Sequence, residues 1–270
     1  MKKTLLLLLC VTVFAGANAQ LSSIFSKKKK SVDSTAHVAG IQKPASVYAA
    51  PAAKKDWSKV DLSKRPADHF MFQYGLDTWL GSKPDSIKTK GFSRHFNFYV
   101  LFDKPLKQNK KYSIAYGLGI GSSNIILDHR YAKVWANSSS LPFDSTTRFN
   151  KSKLTTIYVE APVEFRYYSN PENPNKSWKM AVGVKVGTIL KAYFKGKDLQ
   201  DQNGASIYGP TYIKKEYDKK FFNSTLVTAS ARVGYGAFSL HADYQITSVL
   251  KPGFGPDMHT LSIGLSISGL

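Results

Sequence analysis

The sequence predicts an all-β chain: an eight-stranded antiparallel up-and-down transmembrane β-barrel behind a disordered N-terminal arm. Three observations carry this. Residues 158–168 alternate, with Val159, Ala161, Val163, Phe165 and Tyr167 on one face and Glu160, Glu164 and Arg166 on the other. The alternation recurs along the chain from His69 onward. An export signal stands in front of it: Met1-Lys2-Lys3, an apolar run from Leu5 to Phe14, then Ala17-Asn18-Ala19. A greasy face that recurs in an exported chain suits hydrocarbon, and strands of this kind belong in an outer membrane.

Residues 1–19 read as a signal peptide cleaved after Ala19, because the apolar run is too short to span a bilayer as a helix. The chain's single cysteine, Cys10, lies inside that segment, so no disulfide or thiolate chemistry is expected of the mature protein. Residues 20–68 hold Lys27 to Lys30 and an Ala/Pro/Ser-rich middle without periodicity, and read as a flexible, basic periplasmic arm. Residues 69–270 form the barrel. Its strands are expected at 69–80, 92–102, 112–125, 154–168, 178–194, 221–235, 237–249 and 259–268. The connections 126–153 and 195–220 are long and polar, whereas 103–111, 169–177 and the Gly234-Tyr235-Gly236 corner are short, as in a barrel with turns on one rim and loops on the other. An even strand count returns the C-terminus to the periplasm with the arm. A soluble sandwich would have to bury the charged face in its core, at high cost.

Eight strands leave room inside for side chains only. The expected interior charge network is Asp77, Glu160, Glu164, Arg166, Lys185, Lys191, Arg232, His241 and Asp243, with His95 beside them. Adjacent strands bring Glu160 and Glu164 toward Lys185 and Lys191, and Arg232 toward Asp243. The network reads as a plug of salt bridges, with an ion or solute path as the alternative. Pro162 removes a ladder donor in mid-strand and marks a bulge or local break.

The six histidines show no metal-ligand spacing, and no nucleophile elbow or phosphate loop is present, so neither a metal nor a cofactor is expected. Ser239, His241 and Asp243 share a face, which leaves a lipid-modifying enzyme as a further alternative. Residues two apart on a strand stand about 6.5–7 Å apart, so a structural His241–Asp243 pair is the simpler reading.

The formal charge is +20. An exported chain seldom meets nucleic acid, and the polyanion at hand is lipopolysaccharide. Contacts to its phosphates are expected from Arg130, Lys133, Arg148, Lys151, Lys153, Lys214 and Lys215 in the long loops, where Lys195, Lys197, Lys219 and Lys220 also lie.

Tyr158-Val159-Glu160-Ala161-Pro162-Val163 is similar to the Tyr-Leu-Glu-x-Pro-Leu strand of the PorT-like outer-membrane β-barrel proteins. The Gly-rich strand 182–190 and Phe238-Ser239-Leu240-His241-Ala242-Asp243-Tyr244 support the resemblance, which covers residues 69–270. It implies a single eight-stranded barrel with no catalytic residues; some members resemble a secretion-system component. The expectation is therefore a monomeric, non-enzymatic outer-membrane protein that acts structurally or as a partner of envelope or secretion proteins.

Overall fold

The computed structural model describes residues 69–269 apart from 82–86, 88, 91 and 147, together with Asp56, Lys59 and Asp61. The expected signal segment lies outside the described residues, as does the expected arm except for those three positions.

Eight long strands follow one another: β1 (Phe70–Gly81), β2 (Arg94–Pro105), β3 (Tyr112–Leu127), β4 (Arg148–Tyr168), β5 (Trp178–Gln200), β6 (Thr225–Tyr235), β7 (Phe238–Gln245) and β8 (Met258–Ser268). Each pairs antiparallel with its sequence neighbour, and β1 pairs with β8 from Met71↔Ser268 to Gly81↔Met258, so the sheet closes on itself. Closure removes every edge within the ring, which a strand needs in lipid because hydrocarbon supplies no hydrogen bonds. Three connections, 106–111, 169–177 and 236–237, are short and share one end. The longer ones, 128–147, 201–224 and 246–257, share the other with the segment between β1 and β2.

The alternation in sequence becomes inside and outside. Phe72, Leu76, Phe96, Leu118, Ile120, Val163, Val184, Leu240 and Ile263 face out and are exposed. That band is far larger than the apolar patch a water-soluble monomer tolerates. Aromatics gather at its short-turn edge, where Tyr112 lies 5.4 Å from Tyr167 and Trp178 lies 5.7 Å from Tyr235 between ring centres. Such girdles mark the interfaces of a spanning barrel.

Two departures from the expected pattern matter for the interior. At Pro162 the β3–β4 ladder skips Gly117 and Leu118 in unchanged register, a break without a bulge. The bulge lies instead between Ile157 and Tyr158, which pair with Lys191 and Ile189 and leave Leu190 over. The extra residue inverts the alternation beyond it. Ile189 and Ala192 point in, and Lys191 is exposed on the outer surface. Lys191 is therefore not part of the interior charge network.

The long-loop end is not the polar fringe expected from its composition. β4 and β5 run on as a 21- and a 23-residue strand beyond the apolar band, and Ile213–Tyr217 adds a short strand to β5 there. Trp79, Ile125, Tyr158, Ile189 and Leu226 inside the barrel join Tyr131, Val134, Leu141, Phe149, Phe194, Phe221, Phe222 and Leu250 in one buried apolar cluster.

Candidate functional site

Among the described residues, the chemistry-bearing side chains packed in quantity are those that fill the lumen. Toward the short-turn end, Glu164 accepts from Arg166 Nε at 2.8 Å and from Arg232 Nη2 at 2.8 Å, and Arg232 also donates to Ser268 Oγ at 3.2 Å. All three ionic side chains are buried. Above them Lys185 Nζ meets Asp243 Oδ2 at 2.7 Å and Gln73 Oε1 at 2.9 Å, and stands 5.0 Å from the Tyr99 ring centre. The Tyr99 hydroxyl donates to Glu160 at 2.5 Å.

Asp77 collects the hydroxyls of Ser123 and Ser262 and lies 2.7 Å from His95 Nδ1. His95 Nε2 is 2.8 Å from His241 Nε2, and His241 Nδ1 is 2.9 Å from Ser266 Oγ. One assignment satisfies the whole chain with neutral rings: Gln73 Nε2 donates to Ser266, Ser266 to His241, His241 to His95, and His95 to Asp77. The contact between strands β2 and β7 is possible because two glycines separate them. His95, Gly75, Gly264 and His241 form one register row, and a Cβ on Gly75 or Gly264 would come within 2.2 Å of a backbone carbonyl oxygen on the strand opposite.

The structure thus brings Asp77, Glu160, Glu164, Arg166, Lys185, Arg232, His241 and Asp243 into the lumen. The partners differ from those expected. Arg232 goes to Glu164 and not to Asp243; Lys185 goes to Asp243 and not to Glu160. In a narrow barrel long cationic side chains reach across the lumen as readily as to the next strand. The expected His241–Asp243 pair is replaced by His95–Asp77: two positions on a strand are about 7 Å apart, a span that the long Arg166 stem crosses to reach Glu164 but that the short His241 and Asp243 side chains leave open. Asp243 is engaged by Lys185, and His241 by His95 and Ser266, so the Ser239-His241-Asp243 alignment makes no relay. The sequence signal for the true contacts was the Gly75 position, where a side chain is missing opposite a histidine.

A polar space of about 60 Å³ remains among Asp77, His95, Glu160, Lys185 and Asp243, room for a few waters. The apolar cluster lies above it. Among the described residues no group of three or more His, Cys, Asp or Glu side chains could hold a metal ion.

Residues 66–251 match the model of a family described as outer membrane protein beta-barrel domain. The chain belongs to that family. The family match ends before β8, which the structure supplies as the closing partner of β1. No curated protein matches the chain. Among solved structures, Ail, the attachment invasion locus protein of Yersinia pestis, is similar at 14% identity and a TM-score of 0.32, with 74% of this chain and 94% of that one covered. The same protein in complex with the heparin analogue sucrose octasulfate gives 13% identity and a TM-score of 0.31 over the same shares.

The expected phosphate-contact residues separate into different environments. Lys133 pairs with Asp144 at 2.8 Å, and Lys214 with Glu216 at 3.0 Å and the Tyr131 hydroxyl at 2.9 Å. These contacts hold Lys214 above the ordinary lysine range, led by the Tyr131 hydrogen bond, while burial raises Tyr131. Arg130 is half-buried and Arg148 exposed in the long-loop region. Lys151, Lys153 and Lys215 stand on the outer face of the extended strands.

Proposed function

We propose that the protein is a sealed, non-enzymatic barrel of the outer membrane that acts as a structural element or assembly partner in the envelope, within the PorT-like branch of the family. The arm, the short turns and the C-terminus are on the periplasmic side, and the long loops are outside. The observation that carries the reading is the filled lumen. Arg166, Glu164 and Arg232 occupy one level, and Lys185, Asp243, Gln73 and Glu160 the next. The apolar cluster around Trp79, Tyr158 and Leu226 then closes the long-loop end against water.

Planar-bilayer recording tests it. The wild-type barrel is expected to give no steady conductance, and Lys185→Ala is expected to create leak by unpairing Asp243. Steady wild-type channels that lose current on Lys185→Ala would establish a pore instead. Pull-down from outer membranes with and without residues 20–68 reports whether the arm recruits envelope or secretion proteins.

A further inference from the structure

On the outer wall of the barrel, where the apolar band ends toward the long loops, the register sets out three successive outward rows. The first runs Arg94, Asn124, Thr155, Tyr193 and Tyr217 across β2, β3, β4, β5 and the added strand. The next is Ile126, Lys153, Lys195 and Lys215, and the third is Lys151, Lys197 and Ile213. Lys153 and Lys195 are therefore directly opposite, as are Lys195 and Lys215, and Lys151 and Lys197. Like charges in such positions oppose strand pairing. No acid lies on the second or third row. Asp128, at the rim, is taken by Lys90 at 3.1 Å, and Lys153 has Asn124 Oδ1 at 2.9 Å. A groove of about 760 Å³ runs over this face. Lys90, Arg94, Lys151, Lys153, Lys195 and Lys197 line its charged part, and Tyr74, Phe92, Phe96 and Ile126 its apolar part.

A cationic face with no acid on its two lysine rows, joined to an apolar floor at the edge of the lipid-facing band, matches one kind of ligand: an amphiphile with phosphates at its head and acyl chains below. We propose that this groove binds the phosphorylated glycolipid anchor of lipopolysaccharide. Lys151, Lys153, Lys195 and Lys197 take its phosphates, and Phe92, Phe96 and Tyr74 pack on its acyl chains. The proposal rests on the placement of the long loops outside the cell. It relocates the contact from the loops at large to one wall, and it excludes Lys133 and Lys214, which have carboxylate partners of their own.

The signal-cleaved protein, purified in detergent, is incubated with bisphosphorylated lipid A, with the same lipid after phosphatase treatment, or with inorganic pyrophosphate. Bound ligand is counted by native mass spectrometry. Retention of the bisphosphorylated lipid is expected to exceed that of the dephosphorylated one, and Lys153→Gln/Lys195→Gln is expected to weaken it about 30-fold. Without lipid, that variant is expected to melt no lower than wild type, since it loses a repulsion, which separates loss of binding from loss of fold. Equal retention of the two lipids overturns the site. So does pyrophosphate binding as tightly as lipid A, which would make the ligand a free phosphate. So does an equal loss in Lys133→Gln/Lys214→Gln. On intact cells, added protease is expected to cut within residues 201–206. Cutting there with no phosphate dependence of binding overturns the site alone; protection there overturns the orientation as well.

Discussion

Replacing Glu164 by Gln leaves two buried guanidinium groups facing an uncharged amide. In the intact barrel both Arg166 Nε and Arg232 Nη2 lie 2.8 Å from the same carboxylate oxygen. With charge centres about 4 Å apart and an effective dielectric constant of about 20, each contact carries about 4 kcal/mol of attraction. The amide keeps one acceptor but removes the charge that offsets two desolvated cations. Breaking a buried pair from one side costs about 3–5 kcal/mol, and that loss is expected here. Replacing the triad together, Glu164→Leu with Arg166→Met and Arg232→Met, removes the two cations along with the carboxylate. That variant is expected to lie close to wild type or above it. Guanidinium titration in detergent, followed by tryptophan fluorescence and by the heat-dependent gel shift of folded barrels, measures both. A loss below about 1 kcal/mol for Glu164→Gln, or a triple variant as damaged as the single one, would refute the assignment of Glu164 as the anion shared by two arginines.

Lys185→Met is expected to cost about 3–5 kcal/mol by stranding Asp243, whereas Lys191→Met, on the outer wall beyond the bulge, is expected to change stability by less than about 0.5 kcal/mol; the same titration checks both. Gly75→Ala is expected to cost about 1–3 kcal/mol as the β1–β8 approach is forced apart. Its signature is loss of the His95–His241 hydrogen bond in imidazole nitrogen NMR spectra. Val184→Arg, mid-band on the outer face, is expected to cost about 2–4 kcal/mol when refolded into phospholipid vesicles.

Strand identity was legible because the outer face is sampled at every second position. Phe96, Val163, Val184 and Ile263 face out where the alternation puts them. The interior set was legible for the same reason up to Ile189. Beyond that the bulge adds one residue, and a period of two carries no information about an insertion, so alternation alone puts Lys191 on the wrong wall. The pairing of charges was not legible. Alternation assigns a side chain to the lumen but not to a partner, and by charge alone Arg232 matches Asp243 as well as it matches Glu164. The apolar cluster at the long-loop end was hidden by composition. Tyr131, Val134, Phe221 and Phe222 are scattered among lysines and serines, and only the fold gathers them.

The twin strands Arg148–Tyr168 and Trp178–Gln200 have a mechanical corollary. At about 3.3 Å per residue they reach roughly 70 Å, and even with a tilt near 40° they outrun an apolar band about 25 Å tall by roughly its own height. The barrel therefore carries a stiff mast on one rim. Whatever is grafted at its crest, near Asn203 and Gly204, is held well clear of the bilayer, which makes that crest a natural place to insert a tag or an epitope.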